Sequence, residues 1–199
     1  MSWISLRRTR GTRTPVPFDC PRCDGSQGFR TSARWWLALL GRAILPMGRT
    51  ERYLECGSCG RTFAARAVAA GGASEDEKAV QALVAAVVMA DMRVRSREME
   101  VARRVLERYG GRALRAEDLV DELHRLRRRV PKPLRYLTRI APLLGDRGKM
   151  RIIEAVYDVC VADNELHPAE TELIRSAGEA LDLSPMRVRE AMQRARENR

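Results

Sequence analysis

The chain has 199 residues and a formal net charge of +11, from 37 Lys and Arg against 26 Asp and Glu. That length suits one or two domains, either able to bury a core. The charge is uneven, with 12 basic and 4 acidic side chains in residues 1–72 against 25 and 22 in residues 73–199. The first third therefore carries the electrostatic footprint of a domain that meets nucleic acid, acidic lipid or an acidic partner. Against that stands the bland account: 34 of the 37 basic residues are Arg, as a GC-rich genome yields without selection for binding. The basic start (Arg7, Arg8, Arg10, Arg13) runs into Pro and Asp with no apolar core, so no secretory signal is expected. The longest apolar run, Trp35 to Met47, is broken by Gly41 and Arg42 and falls short of the ~20 residues of a membrane span. The expected compartment is the cytoplasm, with peripheral membrane association left open.

Taken in order, Trp3-Ile4-Ser5-Leu6 reads as a short strand ahead of the basic run. Cys20-Pro-Arg-Cys23 and Cys56-Gly-Ser-Cys59 follow, thirty-two residues apart. Each Cys-x-x-Cys is a tight turn that offers two thiolates to one ion, and two such turns close a tetrahedral zinc shell. With no export signal, this pattern favours metal over disulfides. A thioredoxin-type redox pair would need only one of the two motifs. Four ligands leave no open position, so Cys20, Cys23, Cys56 and Cys59 predict a structural zinc. Gly60 would let the backbone turn under the metal, Asp24-Gly25 would do the same less well, and Phe63 would cap the site.

The gap between the motifs exceeds the common ~15–20 residues and calls for an insertion. Trp35 to Leu40 and Arg52 to Glu55 read as strands, with Pro46, Gly48 and Thr50 as the turn between them. The expectation is a three-stranded ribbon with the second Cys pair at the end of its last strand. The cysteine spacing, the aromatic strand, Pro46-Met47-Gly48 and the closing Cys59-Gly60 resemble a family of small bacterial zinc-ribbon proteins over residues 1–67.

Ala64 to Ala73 is a run of small residues, and a linker is placed at 68–73. From residue 74 to 199 the chain reads as an all-α bundle of about seven helices. Ser74-Glu-Asp-Glu77 has the form of a capping box, opening a helix with Val80, Leu83, Val84, Val87 and Val88 on one face. A second helix runs from about Arg97 through Val101, Val105 and Tyr109 to Gly110-Gly111. Leu119, Leu123 and Leu126 mark a third, ended before Pro131; Leu134, Leu137, Ile140 and Leu144 mark a fourth, ended at Gly145. Ile152 to Cys160 marks the fifth, with Cys160 as a buried inert thiol. Pro168 opens the sixth behind His167, and Ser184-Pro185 opens the last. Between Arg125 and Arg139 lie seven basic residues and no acid, either a solvated face or an anion-binding patch.

The bundle contains an internal repeat. Ala162-Asp-Asn-Glu-Leu-His-Pro-Ala-Glu170 echoes Ala90-Asp-Met-Arg-Val-Arg-Ser-Arg-Glu98 seventy-two residues earlier, and the apolar positions on either side match too. Such a self-match predicts two copies of one helix-loop-helix unit. Neither copy is an EF-hand: Pro168 and Ser96 stand where that loop requires Gly, and Ile174 and Ala102 where it requires Glu. What recurs is an Asp after one helix (Asp91, Asp163) and a Glu in the first turn of the next (Glu98, Glu170). Helix capping accounts for each acid alone. Stacked copies would instead gather all four carboxylates into a second site, suited to a hard divalent cation.

The motif Ala-Asp-Gly-x-(Ile/Val)-x-x-x-Glu after an apolar helix resembles the TerB tellurite-resistance family and the related amino-terminal domain of the DjlA co-chaperone. The resemblance covers about residues 74–199, though the family Gly is Asn164 in one copy and Met92 in the other. It implies an all-helical domain linked to stress and tellurite responses, metal binding and membrane-associated protein complexes, with no enzymatic activity. The expected function is thus a non-enzymatic, metal-binding adaptor or sensor, with a zinc ribbon tethered to a domain that docks a protein partner. The alternative is a nucleic-acid-binding module that uses the basic ribbon with Trp35, Trp36 and Tyr53 as stacking faces.

Overall fold

A computed structural model describes residues 4–39, 42–65, 73–89, 96–110, 114–163 and 166–198. They divide into two compact units, residues 1–75 with 142–145, and residues 76–141 with 146–199. Most of the expected linker at 68–73 lies outside the described residues.

The first unit is a four-stranded antiparallel sheet in sequential order: β1 (Ile4–Pro17), β2 (Gln27–Leu39), β3 (Arg42–Cys56) and β4 (Thr62–Ala64). It is larger than the expected three-stranded ribbon in three respects. The first strand continues through the basic run to Pro17 at the edge of the sheet, where charged residues are tolerated and Thr favours extended backbone. Pro46 and Gly48 do not form a turn but lie within β3, with Pro46 opposite Trp36. Over residues 42–52 no described strand pairs with the far edge of β3, and an edge strand is where proline is tolerated. The third difference is β4, three residues that pair with Tyr53 to Glu55.

The two sheet faces differ in chemistry. Gly28 lies opposite Cys56, and Leu54 lies opposite Phe63, so Leu54, Cys56 and Phe63 share a face with the cysteine cluster. Phe18, Cys20, Cys56 and Phe63 form a buried core there, with Leu54 and Cys59 packed against it. Thr31, Tyr53, Glu55 and Thr62 occupy the other face and are buried as well. Arg13 serves two partners on this second face: its guanidinium stacks 3.7 Å from the Phe29 ring centre and donates to Glu55 at 3.1 Å. The Thr62 hydroxyl donates to the Leu143 carbonyl at 3.5 Å, within the same unit.

The second unit contains seven α-helices among the described residues: α1 (Glu75–Val88), α2 (Ser96–Gly110), α3 (Leu119–Arg129), α4 (Pro133–Ile140), α5 (Asp146–Cys160), α6 (Pro168–Ala180) and α7 (Pro185–Glu197). The division between units falls inside the first turn of α1. No strand follows residue 73 among the described residues. The repeat has structural form: α1 ends at Val88 and α5 at Cys160, while α2 begins at Ser96 and α6 at Pro168, both seventy-two residues apart. One expected boundary moves. The fourth helix stops at Ile140 instead of Gly145, and Ala141–Leu143 form a 3-10 turn, since Pro142 supplies no N–H to continue the α ladder.

α5 is the hub of the bundle. Ile152, Ile153, Ala155, Val156, Val159 and Cys160 are buried on it, and it packs against α7, α2 and α6. α1 contributes Val80, Leu83, Val84 and Val88, each with almost no exposed surface. α7 starts where Pro185 is pre-set for a first turn and the Ser184 hydroxyl accepts from the Arg187 N–H at 3.4 Å.

Candidate metal centre

The four cysteines of the paired motifs meet. Cys20, Cys23, Cys56 and Cys59 bring their sulfurs within 4.8 Å of one another, and all are free thiols. Cys20 and Cys59 are 3.7 Å apart and Cys23 and Cys56 3.6 Å, well beyond the ~2.05 Å of a disulfide. Four sulfurs about 2.3 Å from a central ion stand at the corners of a tetrahedron with edges of about 3.8 Å, so the cluster fits a tetrahedral thiolate site.

The two turns that present these sulfurs are built alike. Asp24 N–H donates to the Cys20 carbonyl at 3.1 Å, and Gly60 N–H to the Cys56 carbonyl at 3.0 Å. The first cysteine of each pair closes the loop, Cys20 donating to Gly25 and Cys56 to Arg61. Both chains turn through the left-handed region at the same step, at φ 53° for Asp24 and 71° for Gly60. Gly60 thus plays its expected part, while in the first turn Asp24 takes the left-handed position itself; Asp is among the few residues that do so at small cost. Phe63 is fully buried with its ring 5.9 Å from Phe18, so the cap on the centre is an aromatic pair where one ring was expected.

The electrostatics of the cluster suit a cation. Burial pushes the Cys20 thiol up. Burial pushes Cys59 up as well, and Cys23 and Cys56 beside it reinforce the rise. Cys56 goes the other way: burial is outweighed by N–H donors from Cys59 and Ser58, which bring it to about 7. A thiolate crowded by three more thiols is what a bound metal ion stabilises, since it draws charge from all four.

The repeated acids fare differently. Asp91 lies outside the described residues. Glu170 accepts the His167 backbone N–H at 2.8 Å, the return arm of a capping box at the start of α6. Asp163 follows the end of α5 and is half-buried. Glu98 and Glu170, one from each repeat, act on the same buried group: burial pushes the Cys160 thiol up, and both carboxylates add to it. Among the described residues, only the four cysteines form a group of three or more close metal-type ligands.

Two of the three aromatic residues considered for base stacking are not fully presented as faces. Tyr53 is buried and Trp36 half-buried, and of Trp35 the backbone alone is described. A feature that periodicity did not signal is the ion pair between Asp76 at the start of α1 and Arg151 on α5, with Asp76 fully buried. An acid four residues before an apolar stripe reads as a helix-capping residue, and nothing local points to its partner seventy-five positions away. No helix among the described residues is long and apolar enough to cross a membrane.

A family model described as "Tellurite resistance protein TerB" matches residues 77–193, which takes in almost all of the helical unit. No curated protein and no solved structure matches the chain.

Proposed function

We propose, from the premise that the chain belongs to the tellurite resistance protein TerB family, that it is a non-enzymatic cytoplasmic adaptor or sensor. In this reading Cys20, Cys23, Cys56 and Cys59 hold a structural zinc, and the helical domain docks a protein partner or senses a metal ion as part of a stress or tellurite response. The observation that carries it is the closed four-sulfur cluster. Four thiolates and no fifth ligand suit an ion that organises the fold and leave no coordination position for chemistry. Protein purified under reducing conditions is expected to hold one zinc per chain by elemental analysis. A metal-free protein with all four thiols reduced and its sheet intact would overturn the structural role.

The sensing half of the proposal rests on the repeated acids and has its own test. If Asp91, Glu98, Asp163 and Glu170 converge on a divalent cation, neutralising any one relieves repulsion in the metal-free fold and raises its melting temperature. The same change weakens the response to calcium, magnesium or manganese. If they cap turns, each change to Asn or Gln costs about 0.5–2 kcal/mol regardless of ions. The signs are opposite, so melts of the four single variants with and without added ions separate the two. Glu170 already accepts the His167 N–H, so Glu170→Gln is expected to fall on the capping side of this test, with a lowered melting temperature at every ion concentration. A wild-type melt indifferent to all three ions ends the sensing role.

A further inference from the structure

We propose that the α3–α4 segment is a sequence-independent docking surface for the phosphate backbone of a nucleic acid, distinct from the cysteine centre and independent of the role assigned to it. From Leu123 to Gly145 the chain has no acidic residue and seven basic ones: Arg125, Arg127, Arg128, Arg129, Lys132, Arg135 and Arg139. All seven are exposed. Arg125 pairs with Glu122, and Arg139 stacks on Tyr136 with its guanidinium 5.1 Å from the ring centre. The other five make no ion pair with any described residue.

An Arg-rich composition alone does not account for a run of five, because Arg103, Arg175 and Arg194 elsewhere in the bundle are paired along their own helices. Arg103 bridges Glu100 at 3.0 Å and Glu107 at 2.8 Å. Arg175 bridges Glu172 and Glu179, and Arg194 meets Glu190 at 2.6 Å. Helix stabilisation fails as an explanation too. Arg127, Arg128 and Arg129 suit the negative end of α3, but Lys132 and Arg135 sit at the start of α4, whose first turn has no acid. Cations there oppose the helix dipole. Charges kept where they weaken a helix point to an anion outside the fold.

The chemistry of that anion follows from the patch. Most apolar side chains of the two helices are buried, Leu119, Leu123, Leu126, Leu137 and Ile140 among them, and Val120 is the exposed exception. The exposed residues between 123 and 145 are His, Arg, Lys, Thr and one Pro, which leaves no apolar face to enter a bilayer. Six of the seven cations are Arg, whose planar fork grips phosphate with two hydrogen bonds. They spread across two consecutive helices without an intervening acid, which matches a continuous polyanion better than a single small one.

The test uses the full-length, zinc-loaded chain and a short fluorescein-labelled DNA duplex of random sequence, titrated by anisotropy between about 50 and 200 mM salt. Five phosphate contacts predict a log-log salt slope of up to about −4.5. Arg128→Gln/Lys132→Gln/Arg135→Gln is expected to flatten the slope by about 3 and weaken binding more than tenfold. The matched control on paired arginines, Arg103→Gln/Arg175→Gln/Arg194→Gln, is expected to leave the slope in place. Arg128→Lys/Arg135→Lys keeps the charge and is expected to keep the slope as well. The proposal is overturned by absence of duplex binding at low salt, by an unchanged slope in the first triple variant, or by equal losses in both triples. It is equally overturned if phosphatidylserine vesicles or polyglutamate bind more tightly than the duplex.

Discussion

Cys56→Ser is expected to empty the metal centre and unfold the sheet while the helices persist. A structural zinc in a small domain contributes about 10–16 kcal/mol of apparent binding energy near pH 7, and in such domains that energy is folding energy. The cluster core consists of Phe18, Cys20, Cys56 and Phe63 with two partly buried neighbours, too few apolar groups to replace it. Cys56 is the most consequential of the four to lose. It is buried at the end of β3, where turn meets sheet, and its sulfur accepts the Cys59 N–H at 3.5 Å. The two outcomes are read by separate probes. All three tryptophans, Trp3, Trp35 and Trp36, belong to the first unit, so their emission reports the ribbon alone. The far-ultraviolet helical signal reports the bundle. The expected result is unfolded-type tryptophan emission, no retained zinc and a preserved helical spectrum. Cys160→Ala, outside the cluster, should keep both zinc and emission. Retained metal and native emission in Cys56→Ser would mean the cluster does not organise the sheet.

The parts of this architecture that the sequence announces are those whose signal is local or repeated. Paired Cys-x-x-Cys motifs locate the four-sulfur cluster because each turn is set by a few neighbouring residues. The self-match locates α1–α2 and α5–α6 because equivalent positions face equivalent surroundings, and the helix ends keep the offset of the repeated phrase. Pro46 misleads because proline is a turn signal in the middle of a sheet and a tolerated residue on an edge, and only the pairing of β3 tells which applies. β4 is missed because three residues carry no period, and its partners lie in a strand read for its cysteine. The acids are the harder lesson. Their recurrence is plain in the sequence, yet in the structure Glu170 has the local task that capping alone would give it.

Arg151→Met is expected to be the most damaging single change in the helical unit. Asp76 is fully buried and its partner Arg151 retains 19% of its side-chain exposure. One carboxylate oxygen meets the guanidinium; the other, Oδ1, has no hydrogen-bond partner among the described residues. Removing the cation strands a negative charge out of water, which costs about 3–5 kcal/mol, a large share of the ~5–15 kcal/mol that holds a domain together. Removing the anion is milder, because a partly exposed guanidinium can turn its charged end to solvent. Asp76→Leu is therefore expected to cost less than Arg151→Met. The repeat supports the view that the pair is an addition to the fold and no requirement of it, since the position equivalent to Asp76 in the second copy is Gly148. With both charges replaced, neither desolvation cost remains, and Asp76→Leu/Arg151→Met should return to within about 1 kcal/mol of the native protein. Chemical denaturation of the two single variants and the double variant completes the cycle. Additive losses in the double variant would show that Arg151 acts through contacts other than Asp76, and the pair would lose its place as the link between the first helices of the two repeats.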